Sequence, residues 1–154
     1  MILLYSIIAC IIIASDRFVK IWTQANVALG EKFGGIPHIA DFVFVKNTGA
    51  AFSMFSGKVS VLSAVSVIFC IGVIIYWIVK KPKNPLLCVS LTLLFSGAAG
   101  NAIDRIMNGF VVDYIELTFI NFPVFNIADI AITLGAALMV LYVIVFDKEK
   151  NSNG

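Results

Sequence analysis

Asp113, in Val111-Val112-Asp113-Tyr114, and Asp129, in Phe125-Asn126-Ile127-Ala128-Asp129, stand at the edges of long apolar segments, in a chain with nine acids among 154 residues. An ionisable side chain at a membrane boundary is costly and marks a functional site by default. Two carboxylates that meet cannot both ionise cheaply, so one keeps a proton while the other stays a base. Such a pair can take a proton from water and give one to a departing amine, which amounts to metal-free hydrolysis of a peptide bond. Other hydrolytic machinery is hard to assemble here. The single histidine, His38, falls in a loop, and neither a Ser-His-Asp set nor a metal-like cluster is visible. Taken singly, each acid also reads as an interfacial carboxylate satisfied by a nearby base or, for Asp129, by the dipole of a helix start.

The elements that must position these acids are membrane spans. The chain is 60% hydrophobic and 13% charged, with a mean hydropathy of +1.01, whereas a soluble domain carries about 25% charged residues. A net charge of +2 is too small to imply a nucleic-acid partner. Crossing the hydrocarbon takes about 20 residues, and four segments qualify: 2–22, 59–79, 86–103 and 127–146. They read as one membrane domain over 1–154, with long connections at 23–58 and 104–126. The second and third spans carry no charge, the first carries Asp16, Arg17 and Lys20, and the fourth carries only Asp129. A signal-peptide reading of the first span, prompted by Ile7-Ile8-Ala9-Cys10, fails because no basic region precedes it and the apolar run continues past Cys10. Cys10, Cys70 and Cys88 fall inside spans at no metal-like spacing and read as small apolar residues.

Lys80-Lys81-Pro82-Lys83-Asn84-Pro85 is a dense basic loop expected in the cytoplasm, and Lys148 and Lys150 of the tail agree. Both termini are then cytoplasmic, and the long connections lie outside. In either orientation the end of span one, the end of span three and the start of span four share one side. Asp16, Lys20, Asn101, Asp104, Arg105, Asn126 and Asp129 gather there, with Asp113 from the following loop.

The long connections are too apolar to be free linkers. Phe42-Val43-Phe44-Val45 is β-branched and aromatic, and the turn residues Asn47-Thr48-Gly49 follow it. Residues 110–117 alternate, setting Val111, Asp113 and Ile115 on one face and Val112, Tyr114 and Glu116 on the other. A small sheet resting on the membrane surface is expected, with 119–125 around Pro123 as its third strand and 50–55 as a short interfacial helix.

Asp16 and Lys20, four apart, share one helical face. They form either an ion pair that eases two charges into the interface, with Lys20 snorkelling outward, or a pair set against the site that fixes the first helix to the loop backbone. Arg105 suits a bidentate carboxylate pair that holds the site together, or contact with a substrate carbonyl. Asp104 reads as a solvated acid or as the partner of Arg105. Asn47 and Asn126 suit a buried turn or an oxyanion contact. Gly97 and Gly100 permit close helix packing.

The sequence also resembles a known family. Asp16-Arg17-Phe18-Val19-Lys20, then Val45-Lys46-Asn47-Thr48-Gly49-Ala50-Ala51-Phe52, then Gly100-Asn101-Ala102-Ile103-Asp104-Arg105 with Gly109-Phe110-Val111-Val112-Asp113-Tyr114, then Phe125-Asn126-Ile127-Ala128-Asp129 follow the order found in bacterial lipoprotein signal peptidases (signal peptidase II). The resemblance runs from the first span to the last. It implies an α-helical integral membrane protein of four helices with a small extracytoplasmic β-sheet cradle, set in the bacterial cytoplasmic membrane with its site near the outer face. It implies an aspartyl peptidase, without a cofactor or metal, that cuts prolipoproteins before a diacylglyceryl-modified cysteine among membrane lipids and is sensitive to the cyclic peptide globomycin. Asp113 and Asp129 match its catalytic dyad. Asp16, Lys20, Asn47, Gly49, Ala51, Asn101, Arg105, Asn126 and Ala128 match its supporting or binding positions. Arg17 stands where a polar amide is common in that family. The competing readings are a small proton-coupled carrier that uses the two aspartates as relay groups, for which four spans are few, and a non-enzymatic membrane scaffold.

Overall fold

The computed structural model describes residues 2–49 and 57–152, and the side chains of the final helix as far as residue 146. Its elements in chain order are α1 (Ile2–Asn26), β1 (Lys32–Ile36), β2 (Ala40–Asn47), α2 (Val59–Lys80), α3 (Pro85–Asn108), β3 (Val111–Leu117) and α4 (Ile127–Ser152). Among the described residues four helices are long and apolar enough to cross a membrane. The helices begin where the hydropathy pattern sets them, but α1 and α3 extend four or five residues past the expected spans, so Asp104 and Arg105 are helical. The expected interfacial helix at 50–55, and Ala51 with it, lie outside the described residues.

The helices are inverted relative to those of a soluble protein. In α1 the buried positions are Ala9, Asp16, Lys20 and Thr23, whereas Ile7, Ile11, Phe18 and Ile21 face outward. Spacings of seven, four and three place the buried four on one helical stripe. The polar stripe therefore faces protein and the apolar surface faces lipid, as a bilayer demands.

Helix α3 is the hub, packed by α4, α2 and α1. Its start is fixed by Asn84, whose side chain accepts from the Leu86 and Leu87 amides at 3.0 and 3.2 Å, with Pro85 opening the first turn. Its end is fixed by Gly109 at φ 76°, whose amide bonds the Arg105 carbonyl. Small residues bring α4 close: a Cβ on Gly97 would fall on the Ala128 carbonyl and the Ile132 side chain, and one on Gly135 would meet Leu94.

The sheet is antiparallel in the order β1-β2-β3. β2 and β3 are the expected strands, but the third is β1, not 119–125. Within 119–125 only Phe125 pairs, bridging Ile115, because Pro123 has no amide to donate to a ladder. β1 is legible only through its partners: Lys-Phe-Gly-Gly-Ile has no alternation, and Lys32 holds it to β2 and β3 through Asp41 and Glu116 at 2.9 and 2.6 Å. Alternation along β3 sends Val112 and Tyr114 into a core with Val27 and Phe44. Val111 and Asp113 face the opposite way, onto a cavity.

Candidate active site

Helix α4 begins with amides that have no helical carbonyl to bind. Three of them are taken by side chains, one from β3, one from α1 and one from the residue just before the helix. The Ile127 amide donates to the Tyr114 hydroxyl of β3 at 3.1 Å, and the Ala128 amide to Asp16 Oδ1 of α1 at 3.1 Å. The Asp129 amide donates to Asn126 Oδ1 at 2.8 Å, and Asp129 Oδ2 accepts in return from the Asn126 amide at 3.2 Å. The last two bonds form a reciprocal capping box. Asp129 is thus both a helix-cap carboxylate and a wall residue of the cavity. Its position is set by β3, α1 and its own helix start together.

A second control acts from below. Lys20 is fully buried, and its ammonium meets Asp16 Oδ2 at 2.8 Å, Asp104 Oδ2 at 3.1 Å and Asn101 Oδ1 at 3.0 Å. An ammonium only donates, so the Asn101 carbonyl must face it and the amide nitrogen must face away. That nitrogen donates to Asp129 Oδ1 at 2.7 Å. Of the two readings of the Asp16–Lys20 pair, the one with Lys20 snorkelling outward does not hold, because three acceptors inside the bundle replace water. Gly100 leaves the room for this: a Cβ there would press on the Asp16 carboxylate and on Ala128.

Asp113 is buried on β3 and held from both sides. Asn47 Nδ2 donates to its Oδ2 at 2.8 Å, and Asn126 Nδ2 donates to its Oδ1 at 2.6 Å. Register explains the first contact: Val45 lies opposite Asp113 and Asn47 opposite Val111, so Asn47 is the diagonal neighbour across β2 and β3. Asn47 Oδ1 accepts from the Gly49 amide at 2.8 Å, which leaves its nitrogen for Asp113. Burial, and then the neighbouring Asp129 carboxylate, push the Asp113 carboxyl up to about 7 against the pull of its two asparagine donors. Burial likewise pushes the Tyr114 hydroxyl up.

Asn126 therefore binds both aspartates, one through its side-chain amide and the other through its backbone and carbonyl. Both carboxylates line one cavity of about 880 Å³, together with Asn47, Gly49, Asn101 and Arg105. The rest of its lining is mostly apolar, with Phe125 and Ile132 among it, and Lys46, Thr48, Ser66 of α2 and Thr133 of α4 are its further polar members. A polar end in an apolar trough suits a substrate that offers a peptide bond and a hydrocarbon body at once. Among the described residues no group of three or more His, Cys, Asp or Glu could hold a metal ion.

Two expectations about charged partners are corrected. Among the described residues Arg105 has no carboxylate at ion-pair distance; its guanidinium donates to the Gly49 carbonyl at 2.9 Å and approaches the Asn101 carbonyl at 3.5 Å. Asp104 is neither solvated nor paired to Arg105. It is fully buried, accepts from Arg17 at 2.7 Å, from Lys20, and from the Val112 amide at 3.0 Å. Asp104 thereby ties α1 and α3 to the residue beside Asp113. Tyr114, Asp104 and Arg17 are the residues whose roles sequence reasoning missed. An acid four residues beyond Gly100, inside an apolar helix, signals a buried partner without naming it.

The chain is similar throughout to known proteins. A family model described as signal peptidase (SPase) II matches residues 8–145. The lipoprotein signal peptidase of Latilactobacillus sakei is 40% identical over 149 residues, covering 96% of this chain and 97% of that one. That of Clostridium acetobutylicum is 37% identical over 139 residues, covering 88% and 90%. A solved structure described as a bacterial membrane enzyme superposes with a TM-score of 0.88 at 32% identity, covering 94% of this chain and 89% of that chain. Another with the same description gives 0.85 at 32% identity, covering 95% and 96%.

Proposed function

Since the chain belongs to the signal peptidase II family, the lipoprotein signal peptidases, we propose that it is an aspartyl peptidase whose dyad is Asp113 and Asp129. Its reaction is removal of the signal peptide from prolipoproteins, on the N-terminal side of a cysteine that bears a diacylglyceryl thioether. The observation that carries this reading is the pair of carboxylates, fastened by one asparagine, facing a single cavity with mostly apolar walls.

We assign the proton that the pair shares to Asp113, which is buried on β3 and whose carboxyl is pushed up to about 7. Asp129, with both oxygens in hydrogen bonds but lone pairs to spare, is the base. Water between them loses a proton to Asp129 as its oxygen attacks the scissile carbonyl carbon. The tetrahedral intermediate collapses, the C–N bond breaks, and Asp113 delivers its proton to the leaving amine. The proton gained by Asp129 replaces the one Asp113 gave up, so the dyad is restored and one water has been consumed. Arg105 and Asn47 hold the β2 end beside the carboxylates.

The protein sits in the bacterial cytoplasmic membrane with both termini inside and the dyad near the outer face. The lipid-modified precursor presents its cleavable bond at that depth while its acyl chains and signal helix stay in the bilayer. Globomycin, an apolar cyclic peptide, competes for the same cavity.

Cleavage-site mapping tests the substrate reading. Purified protein with a metal chelator is incubated with a precursor that carries or lacks the diacylglyceryl group, and the products are weighed by mass spectrometry. The expected product from the lipidated precursor begins at its modified cysteine, and the unmodified precursor is cut at least about tenfold more slowly. Equal cleavage of both precursors, or a cut elsewhere, contradicts it.

A further inference from the structure

A second concavity lies towards the end of the bundle away from the aspartates, between the first half of α1 and the last turns of α2, with α3 as its floor. It holds about 360 Å³ and is almost wholly apolar, walled by Tyr5, Ala9 and Ile13, by Val73 and Trp77, and floored by Phe95. Thr92 also reaches it, but the Thr92 hydroxyl is committed to the Cys88 carbonyl at 2.7 Å. α1 and α2 make few contacts with each other, and the Tyr5 and Trp77 rings, 5.5 Å apart, bridge them within the groove. Along α1 the groove runs from Ile2 to Ile13, about 16 Å at the helical rise, or roughly half the hydrocarbon thickness. That is the reach of one acyl chain from one leaflet.

The charge next to this groove selects among possible occupants. Lys80, Lys81 and Lys83 follow directly on Trp77 and Ile78, and all three are exposed. Lys81 caps α2 in the left-handed conformation, with its amide on the Trp77 carbonyl, so the helix ends within a turn of the groove wall at Trp77 and Ile78. Asn84 then caps α3 and fixes the other end of the loop. Among the described side chains no carboxylate pairs with any of the three lysines. Three cations at headgroup depth above a one-leaflet apolar groove complement an anion with a hydrocarbon tail.

We propose that this groove is a binding site for an anionic phospholipid, with an acyl chain between α1 and α2 and the phosphate on Lys80, Lys81 and Lys83. A signal helix is a poorer occupant, because its own basic leading region would be set against three lysines. The α2 surface that opens on the aspartates, at Ser66, borders the other cavity, with α4 as its opposite wall. The site is independent of the dyad and of the reaction assigned to it.

Trp77 reports on the groove directly. In a Trp22→Phe background it is the only tryptophan, since the chain has two. The protein is reconstituted in vesicles containing phosphatidylglycerol or phosphatidylcholine brominated in mid-chain, and quenching of Trp77 fluorescence is titrated against the mole fraction of each. The brominated phosphatidylglycerol is expected to quench at a mole fraction lower by about fivefold or more, the selectivity of even one lysine engaging an anionic headgroup. That preference disappears in the Lys80→Gln, Lys81→Gln, Lys83→Gln variant and persists when the same three become Arg. Equal quenching by the two lipids in the unsubstituted loop, or a preference that survives neutralisation, overturns the proposal. So does strong quenching of Trp77 by a precursor carrying a nitroxide within its signal helix, which would give the groove to the substrate.

Discussion

A lysine ammonium has three protons and no lone pair, and that one-sidedness sets the direction of a row of hydrogen bonds in this protein. Lys20 turns the Asn101 carbonyl inward, and the Asn101 amide is thereby aimed at Asp129. Replacing Asn101 by Ala removes that donor. It is expected to lower kcat by about 100-fold with little change in KM, since a misplaced base harms the transition state more than binding. Steady-state cleavage kinetics would show it; an unchanged kcat would remove Asn101 from the positioning of Asp129. On the proposed mechanism the pH profile reports the pair of carboxyls, of which Asp113 is pushed up to about 7, so its proton is lost as pH rises through that value. The predicted kcat/KM falls by about tenfold per pH unit on the alkaline side, with apparent values that belong to the pair. Stability follows the same sign. The raised pKa contributes stability that is full below the ordinary value of 3.8 and lost as pH rises through about 7. Asp113 and Asp129 were legible in the sequence because acids are conspicuous in apolar surroundings. The partner of Asp104 was not: the Arg17 bond spans 87 positions and depends on how α1 crosses α3.

At the scale of elements, the contact between α3 and α4 decides where Asp129 stands. A methyl group on Gly97 would fall on the Ala128 carbonyl, one residue from Asp129, the proposed base. Gly97→Ala is therefore expected to force the helices apart, with a cost of about 1–3 kcal/mol and a large loss of activity. Gly72→Ala in α2 is the control, because nothing lies within 4 Å of the place its methyl group would occupy; thermal unfolding in detergent should separate the two variants. Equal behaviour would mean that α3 and α4 have slack. Tyr114→Phe leaves the Ile127 amide without its acceptor, a loss of about 1–3 kcal/mol by the same assay. The four helices were legible because a bilayer fixes both their length and their polarity. β1 was not, because two glycines erase its pattern and its pairing is supplied by β2 and the Lys32 ion pairs. The stretch 119–125 misled by its aromatic content, with Pro123 lacking the amide a strand requires.

Across the whole molecule, polar groups are gathered inside one end of an apolar bundle, and Lys20 joins three of its parts. Through Asp16 it reaches the start of α4, through Asp104 the backbone of β3, and through Asn101 the Asp129 carboxylate. Lys20→Met would leave Asp16 buried without its cation and Asp104 with Arg17 alone, a cost of about 3–5 kcal/mol. It should abolish cleavage although Lys20 is not among the residues that line the cavity. The concentration of polar residues at one end was legible from the order of spans alone, whereas this wiring required the fold. The most direct measurement is cleavage of a diacylglyceryl-modified precursor by purified protein in a metal chelator, comparing the unsubstituted chain with Asp113→Asn and Asp129→Asn. A dyad mechanism predicts full activity for the first and a loss of at least about 10,000-fold in each variant, with both variants still folded by circular dichroism. Substantial cleavage by either variant would contradict it.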